Sequence, residues 1–274
     1  MIVIALGDLH GQLAVLPRLR RVQARYPEAT TVFIGDYIDC FGDDNPGLAL
    51  LAEIRAIEEA DPLHTKALMG NHEYGAVSFF SDPAKRDWLH YGGAATLAAE
   101  AKRLGLSPTR EVPYASEQLA LAVRQALLAR EPTLLDWTAA LPMSWSVGRL
   151  TFVHAGLDQT SNHPFEDSTV ADYLWLRGGY WYDPNNWQVF DHNRFGRTVV
   201  AGHTPTGMIA GRYHGDVRAA KLASPRNPIY AIQYPGEPPR YLIDGGAGGR
   251  DPRLLGNIGV FDSETGLLMD AVED

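Results

Sequence analysis

The sequence predicts an α/β fold in which short buried strands alternate with helices. Apolar runs rich in branched residues lie at residues 2–6, 31–34 and 66–69, and helix-like stretches lie between them at residues 13–24 and 47–60. A Gly-Asp or Gly-Asn pair follows each apolar run directly. Because ligand sites of open α/β sheets lie beyond the carboxyl ends of the strands, these polar side chains are expected to share one edge of a sheet.

The middle of the chain predicts a helical cap or insertion. Alanine and leucine recur at helical spacing over residues 82–141, most clearly at residues 117–130. No internal repeat, low-complexity tract or long linker interrupts the chain. Residues 1–274 are therefore expected to form a single domain.

Five further apolar runs predict strands after the insertion. The first two end directly in histidine-containing motifs, which repeats the arrangement of a strand followed by a polar site. The later three suggest a second sheet. In chain order the five runs are residues 150–153, 198–201, 229–232, 240–243 and 258–261.

Composition and charge limit the functions and the cellular locations that fit this sequence. A formal net charge of −9 argues against a broad electrostatic grip on nucleic acid, so no stable nucleic-acid binding is expected. Cys40 is the only cysteine, which excludes an intramolecular disulfide and an all-cysteine zinc site and favours a reducing, cytoplasmic location. Neither a secretory signal nor a membrane-spanning apolar stretch is recognisable, so membrane attachment is not expected.

Five short motifs concentrate carboxylate, amide and imidazole groups after the strand-like runs. These donors suit a borderline divalent ion such as manganese, iron or zinc better than calcium, which prefers an all-oxygen shell. A carboxylate such as Asp36 can bridge two ions about 3.5–4 Å apart, the clamp used for in-line displacement at phosphorus. The motifs are Gly7-Asp8-Leu9-His10-Gly11, Gly35-Asp36-Tyr37-Ile38-Asp39, Gly70-Asn71-His72-Glu73, Val153-His154-Ala155-Gly156 and Gly202-His203-Thr204-Pro205.

The order of these motifs resembles that of the calcineurin-like metallophosphoesterases, particularly the bacterial relatives of phosphoprotein phosphatases and diadenosine tetraphosphatases. The resemblance implies a four-layer β-sandwich flanked by helices and a centre of two divalent ions. Manganese is favoured, with iron, zinc, cobalt or nickel as alternatives. The implied ligands are Asp8 and His10 on the first ion, Asn71, His154 and His203 on the second, and Asp36 as the bridge.

The same resemblance implies the catalytic residues. His72 would donate a proton to the leaving oxygen and Asp39 would orient it, and a positioned acid contributes typically about 10²–10⁴-fold. Cys40 stands where phosphoprotein phosphatases usually carry a phosphate-binding arginine, so one phosphate contact is missing. Arg177, in a Trp-X-Arg string, is the candidate for the remaining bidentate contact, and Arg250 in the glycine-rich segment is an alternative.

The residues leave several functions open. The leading hypothesis is a phosphomonoesterase that acts on a phosphorylated small molecule such as a nucleotide, or on phosphoserine and phosphothreonine in a phosphoprotein. The alternatives are a phosphodiesterase on the same scaffold and a protein that binds a phosphorylated ligand without hydrolysing it. His72 has an alternative role as a histidine that only orients ligands. The aromatic segment 173–195 could stack on a nucleobase or form a small separate core.

Overall fold

Two mixed β-sheets form the centre of the protein in a computed structural model. The residues that this structure describes are 1–40, 45–106, 117–158, 161–177, 193, 196–208, 218–220, 227–233, 236–249, 251 and 253–274. The strands in the described ranges are β1 Ile2–Leu6, β2 Thr30–Phe33, β3 Thr65–Ala67, β4 Ser144–Val147, β5 Leu150–Val153, β6 Thr198–Ala201, β7 Arg218–Ala220, β8 Tyr230–Gln233, β9 Arg240–Leu242, β10 Ile258–Asp262 and β11 Leu267–Val272. The first sheet has the order β11-β10-β1-β2-β3 and the second has the order β4-β5-β6-β9-β8-β7.

Parallel pairing brings the ends of the central strands together. In the first sheet β1, β2 and β3 run parallel, and in the second sheet β5, β6 and β9 run parallel. Their carboxyl ends therefore lie at a common edge within each sheet. This is the position where the sequence places its polar motifs.

The two sheets pack face to face through alternate residues of their strands. On β1, Val3 and Ala5 belong to the core cluster that also contains Phe152 of β5, whereas Ile4 belongs to the cluster shared with the helices. The rings of Phe152 and Phe261, one from each sheet, have centroids 6.2 Å apart. Since both faces of β1 are buried, its sequence is a continuous apolar run. The predicted sandwich with flanking helices is confirmed.

The helices cover the outer faces of the sheets and fill the predicted insertion. Helix formation is confirmed in the described parts of residues 82–141, where a π-type turn, Leu89–Gly93, precedes α4. None of the helices in the described part of the chain is long and apolar enough to cross a bilayer. The helices are α1 Val15–Arg25, α2 Ala49–Ala60, α3 Asn71–Ser81, α4 Ala94–Arg103, α5 Glu117–Arg130, α6 Pro132–Ala139, α7 Pro164–Asp167 and α8 Val170–Trp175.

The expected grouping of the later strands is correct for β8 and β9, which lie in the second sheet, and wrong for β10. β8 and β9 do not form a sheet of their own with β10, since β9 pairs with β6 in the second sheet whereas β10 pairs antiparallel with β1 in the first. The sequence also did not predict β4, β7 and β11, which are edge strands. β4 and β11 are only partly buried, so their sequences lack the continuous apolar runs that marked the central strands.

Candidate metal centre and acid dyad

The five motifs converge where strands of both sheets end. Asp8 and Asp36 follow β1 and β2, and Asn71 follows β3 and begins α3. His154 and His203 follow β5 and β6 in the second sheet. All five side chains are buried. The backbone N–H of His203 donates a hydrogen bond of 2.7 Å to Asp8 Oδ1, which joins the two sheets at this point.

The backbone at these motifs adopts a conformation that ordinary residues avoid. In the part of the chain that the structure describes, five non-glycine residues have positive φ, and each of them is a predicted site residue. A left-handed backbone costs a non-glycine residue about 1–2 kcal/mol. Such strain persists where the surrounding structure enforces it and is concentrated at functional sites. The five are Asp8 (57°), His10 (42°), Asp36 (56°), Asp39 (71°) and His203 (64°).

His154 and three side chains around it form the first cluster of metal-ligand type. His154 Nε2 lies 3.0 Å from Asn71 Oδ1, 3.2 Å from His203 Nδ1 and 3.4 Å from Asp36 Oδ2. His154 Nδ1 donates to the Ile34 carbonyl at 3.0 Å, which leaves Nε2 to face the cluster. One carboxylate, one amide and two imidazoles are a donor set that fits a borderline divalent ion.

Electrostatics keep Asp36 anionic and His203 neutral in this cluster. Burial alone would raise the pKa of Asp36, but the positive charges of His154 and His72 outweigh it and hold the pKa well below its usual range. Burial lowers the pKa of His203 to about 2, with a further contribution from charged His154, so His203 stays a neutral imidazole. Its Nε2 atom is buried without a hydrogen-bond partner among the described residues. An anionic carboxylate beside neutral imidazole is suited to hold a divalent ion.

A second cluster shares Asp36 with the first and differs from the predicted ligand set. His10 Nε2 and His72 Nε2 each lie 3.8 Å from Asp36 Oδ2, and these three residues form the second group with metal-ligand spacing. His10 donates from Nδ1 to the Ile38 carbonyl at 2.9 Å, and burial, with the charge of His72, lowers its pKa to about 4. Asp8 does not belong to this group, although its Oδ2 is buried with no hydrogen-bond partner among the described residues. The assignment of Asp8 as a ligand stays a prediction.

His72 of the second cluster forms a buried ion pair with Asp39. His72 Nδ1 lies 2.6 Å from Asp39 Oδ2, and the indole N–H of Trp88 donates to the same oxygen at 2.7 Å. Burial alone would lower the pKa of His72, but the charge of Asp36 and the hydrogen bond to Asp39 raise it to about 9. The protonated form of His72 is the one that an acid catalyst needs. The ring of Tyr91 meets His72 edge-on, with centroids 5.2 Å apart.

Comparison with known protein families decides what kind of site this is. The model of the calcineurin-like phosphoesterase family matches residues 1–232. The chain belongs to this family. It is therefore a hydrolase of phosphoric esters, and the family is metal-dependent. No curated protein sequence matches the chain significantly.

Solved structures with a similar fold include other phosphoesterases. A serine/threonine phosphatase from Saccharomyces cerevisiae, similar to human phosphatase PP5, shares 15% identity over 100% of this chain and 80% of its own, with a TM-score of 0.50. A cold-active protein-tyrosine phosphatase of a psychrophilic Shewanella species shares 14% sequence identity. The match covers 96% of this chain and 76% of the Shewanella chain, also with a TM-score of 0.50. A metallophosphoesterase from Sphaerobacter thermophilus shares 16% sequence identity. The match covers 100% of this chain and 89% of the Sphaerobacter chain, with a TM-score of 0.47. At these identities the first two show the fold alone.

Glu73 is a buried residue beside the candidate centre of this calcineurin-like phosphoesterase, and the sequence reasoning assigned it no role. Its carboxylate accepts hydrogen bonds from the backbone N–H of Asp36 and Tyr37, both at 2.8 Å, and of Gly70 at 3.1 Å. A Cβ at Gly70 would overlap the Asp36 nitrogen, so the two loops touch directly. Glu73 thus fixes the Asp36 loop against the start of α3. Its place three residues after Gly70, from which a carboxylate can accept the N–H that precedes the helix, is the signal that could have identified it.

Asp244 is a second residue that the sequence reasoning missed. It follows β9, is 3% exposed, and accepts a hydrogen bond of 2.7 Å from the Gly246 N–H. Burial raises its pKa to about 7, and Asp244 in turn contributes to the raised pKa of Asp8. The glycine-rich loop after it closes over the site, since a Cβ at Gly248 would lie 2.6 Å from His10 Cδ2. Its Asp-Gly-Gly string directly after an apolar run was the available signal.

Arg177, the predicted phosphate contact, lies at the rim of the phosphoesterase site. Its side chain is exposed and donates a hydrogen bond of 2.6 Å to the His203 carbonyl. Arg250 lies outside the described residues. In the aromatic segment, residues 178–192 and 194–195 also lie outside them, whereas Trp175 is described and its ring meets Tyr74 edge-on.

Proposed function

We propose that this phosphoesterase is a phosphomonoesterase with a dinuclear metal centre bridged by Asp36. The position of Asp36 Oδ2 carries the proposal. This one oxygen lies 3.4 Å from a ring nitrogen of His154 and 3.8 Å from ring nitrogens of His10 and His72. A carboxylate shared by imidazoles from separate loops is suited to bridge two ions.

The two ions would be held by six side chains. When bound, they would polarise the phosphoryl oxygens and activate water for attack on phosphorus. Manganese is the preferred ion in this proposal, and iron, zinc, cobalt or nickel are alternatives, because the donors mix oxygen with imidazole nitrogen. The proposed ligands are Asp8, His10, Asp36, Asn71, His154 and His203.

The dyad would supply the proton that the leaving group needs. As the bond from phosphorus to the leaving oxygen breaks, His72 Nε2 gives its proton to that oxygen, and the product leaves as an alcohol. Asp39 stabilises the protonated imidazole through Nδ1 at 2.6 Å. Exposed Arg177 would contact the phosphoryl oxygens from the rim.

The substrate in this proposal is a phosphorylated small molecule or a phosphoprotein. The formal net charge of −9 supports the absence of stable nucleic-acid binding. The single cysteine, Cys40, supports a cytoplasmic location. We also propose that residues 1–274 act as one domain, supported by the contribution of both sheets to one site.

Metal content and substrate preference test the proposal together. Purified protein would be analysed by mass spectrometry for bound metal, and hydrolysis of p-nitrophenyl phosphate and bis-p-nitrophenyl phosphate would be measured with and without manganese. The expected result is about two ions per chain and manganese-dependent hydrolysis that favours the monoester. A preference for the diester would reassign the chain as a phosphodiesterase. Two bound ions without hydrolysis of either compound would contradict the phosphomonoesterase assignment.

A further inference from the structure

A cavity of about 420 Å³ lies beside the acid dyad, between α3 and the turn Leu89–Gly93. Four aromatic side chains line it: Tyr74, Trp88, Tyr91 and Trp175. Its size is within the range of about 300–1,000 Å³ that is typical of small-molecule sites. The rings of Tyr74 and Trp175 meet edge-on, with centroids 5.5 Å apart, and Trp175 is 39% exposed. The cavity therefore offers aromatic faces that a flat ring could contact.

Two residues of the cavity wall also touch the dyad. Trp88 donates its indole N–H to Asp39, and the ring of Tyr91 contacts His72. Since His72 is the proposed proton donor to the leaving oxygen, the leaving group is the part of the substrate that comes nearest to this cavity. Tyr91 lines the cavity and His72 does not. A ring bound in the cavity would therefore be separated from the leaving oxygen by a short spacer rather than attached to it directly.

Hydrogen-bond donors and acceptors complete the lining of the cavity. Ser78 contributes a hydroxyl group, Lys85 an ammonium group and Asp87 a carboxylate. Together they can donate hydrogen bonds to a ring edge and accept hydrogen bonds from it. A phenyl ring has no such groups on its edge, whereas a nucleobase has both donors and acceptors. The combination of aromatic walls and a mixed polar lining therefore favours a nucleobase over a phenyl ring.

We propose that this cavity binds the base of a nucleoside 5′-monophosphate, with the ribose as the spacer to the metal centre. This inference rests on the proposed phosphomonoesterase function and names its substrate class. In the reaction, the oxygen of water bonds to phosphorus and the bond from phosphorus to the 5′ oxygen breaks. His72 gives its proton to the 5′ oxygen, and a proton from the attacking water replaces it. The products are the nucleoside and inorganic phosphate.

Two substrates that differ only in the base test this proposal. Adenosine 5′-monophosphate and ribose 5-phosphate have the same primary leaving oxygen, so a difference in kcat/KM measures recognition of the base. We expect adenosine 5′-monophosphate to be preferred by about tenfold or more, which is the scale of one base–aromatic stacking contact. Trp175→Leu and Tyr74→Leu should each lower this preference by about tenfold. Phe165→Leu is the matched control, since Phe165 is also 39% exposed and does not line the cavity, and it should keep the preference.

Binding of adenosine itself separates this inference from the proposed function. Adenosine should bind the parent protein and the Phe165→Leu control, and should bind at least about tenfold more weakly to Trp175→Leu. Equal kcat/KM for the two phosphates, or adenosine binding that survives both cavity substitutions, would overturn the nucleobase assignment. A stronger preference for a phosphotyrosine peptide that is lost in Trp175→Leu would also overturn it and assign the cavity to a protein side chain. Failure to hydrolyse p-nitrophenyl phosphate would instead count against the proposed function, and adenosine binding would still decide the cavity assignment.

Discussion

The strand ends and the helical insertion shape the same site in different ways. Strand ends of both sheets position the candidate ligands, four of them on strained backbone, and hydrogen bonds such as that from His203 N–H to Asp8 hold the loops together. The insertion contributes no candidate ligand, yet it places Trp88 on Asp39 and Tyr91 on His72. The sheets thus set the charges of the site, whereas the insertion sets the surroundings of the proposed proton donor.

The helical insertion is in direct contact with the His72–Asp39 dyad. Gly92 has a φ of 130°, and a Cβ there would lie 2.6 Å from Asp39 Cβ. Substitutions in the two regions should therefore differ in kind. Changes at the strand ends should remove the ions, and changes in the insertion should leave the ions bound and slow the proton transfer.

The largest effect is expected for Asp36→Asn at the strand ends. Loss of the shared negative charge should remove at least one ion and lower kcat by about 10³-fold or more, since the amide cannot bridge two ions as a carboxylate does. Metal content and p-nitrophenyl phosphate hydrolysis would be measured together. Asp61→Asn, an isosteric change at an exposed position, is the control and should retain both ions. Full activity of Asp36→Asn would rule out the bridged centre.

His72→Asn tests the residue at which the strand-end site and the insertion are in contact. We expect both ions to be retained and kcat to fall by about 10²–10⁴-fold, because the proton donor is lost. The loss should be greater for an alkyl phosphate than for p-nitrophenyl phosphate, whose leaving group needs less help from an acid. Since His72 also lies within ligand distance of the Asp36 cluster, loss of an ion in this variant would instead identify it as a ligand.

Trp88→Phe tests the contribution of the insertion. The ring remains, but Asp39 loses the N–H donor at 2.7 Å. A hydrogen bond to a charged group is worth about 1.5–3 kcal/mol, so we expect kcat to fall by about tenfold with KM and metal content unchanged. Trp137→Phe is the matched control, since the Trp137 indole N–H donates a similar bond of 2.8 Å to Glu58, away from the site. Equal kcat values for the two variants would exclude a positioning role for Trp88.

Arg177→Gln should give the smallest effect. Arg177 is exposed, so solvent weakens its interaction with a phosphate, and we expect KM to rise by about fivefold with kcat changed less than about twofold. Steady-state kinetics with a monoester would measure both constants. Arg253→Gln is a control at an exposed arginine that pairs with Asp251. An unchanged KM would show that Arg177 only supports the His203 loop.

The sequence predicted the central strands and the polar motifs because both leave local signals. The run at residues 150–153 coincides with β5, since a strand buried on both faces is apolar at every position or nearly so. Edge strands such as β4 carry a weaker pattern. Trp88 could not be assigned from sequence because its role depends on a contact with a distant residue. It is 49 positions from the Asp39 that it contacts.

The left-handed backbone at the site makes stability and activity conflicting requirements. Glycine adopts this backbone without the steric clash that Asp8, Asp36 and the others tolerate. Glycine at these positions would therefore relieve strain while removing the side chains that are proposed to carry the chemistry. A laboratory evolution experiment that selected only for survival of heating would tend to accept such replacements. It would have to select for catalysis as well, because the most heat-resistant descendants of this chain are expected to include inactive ones.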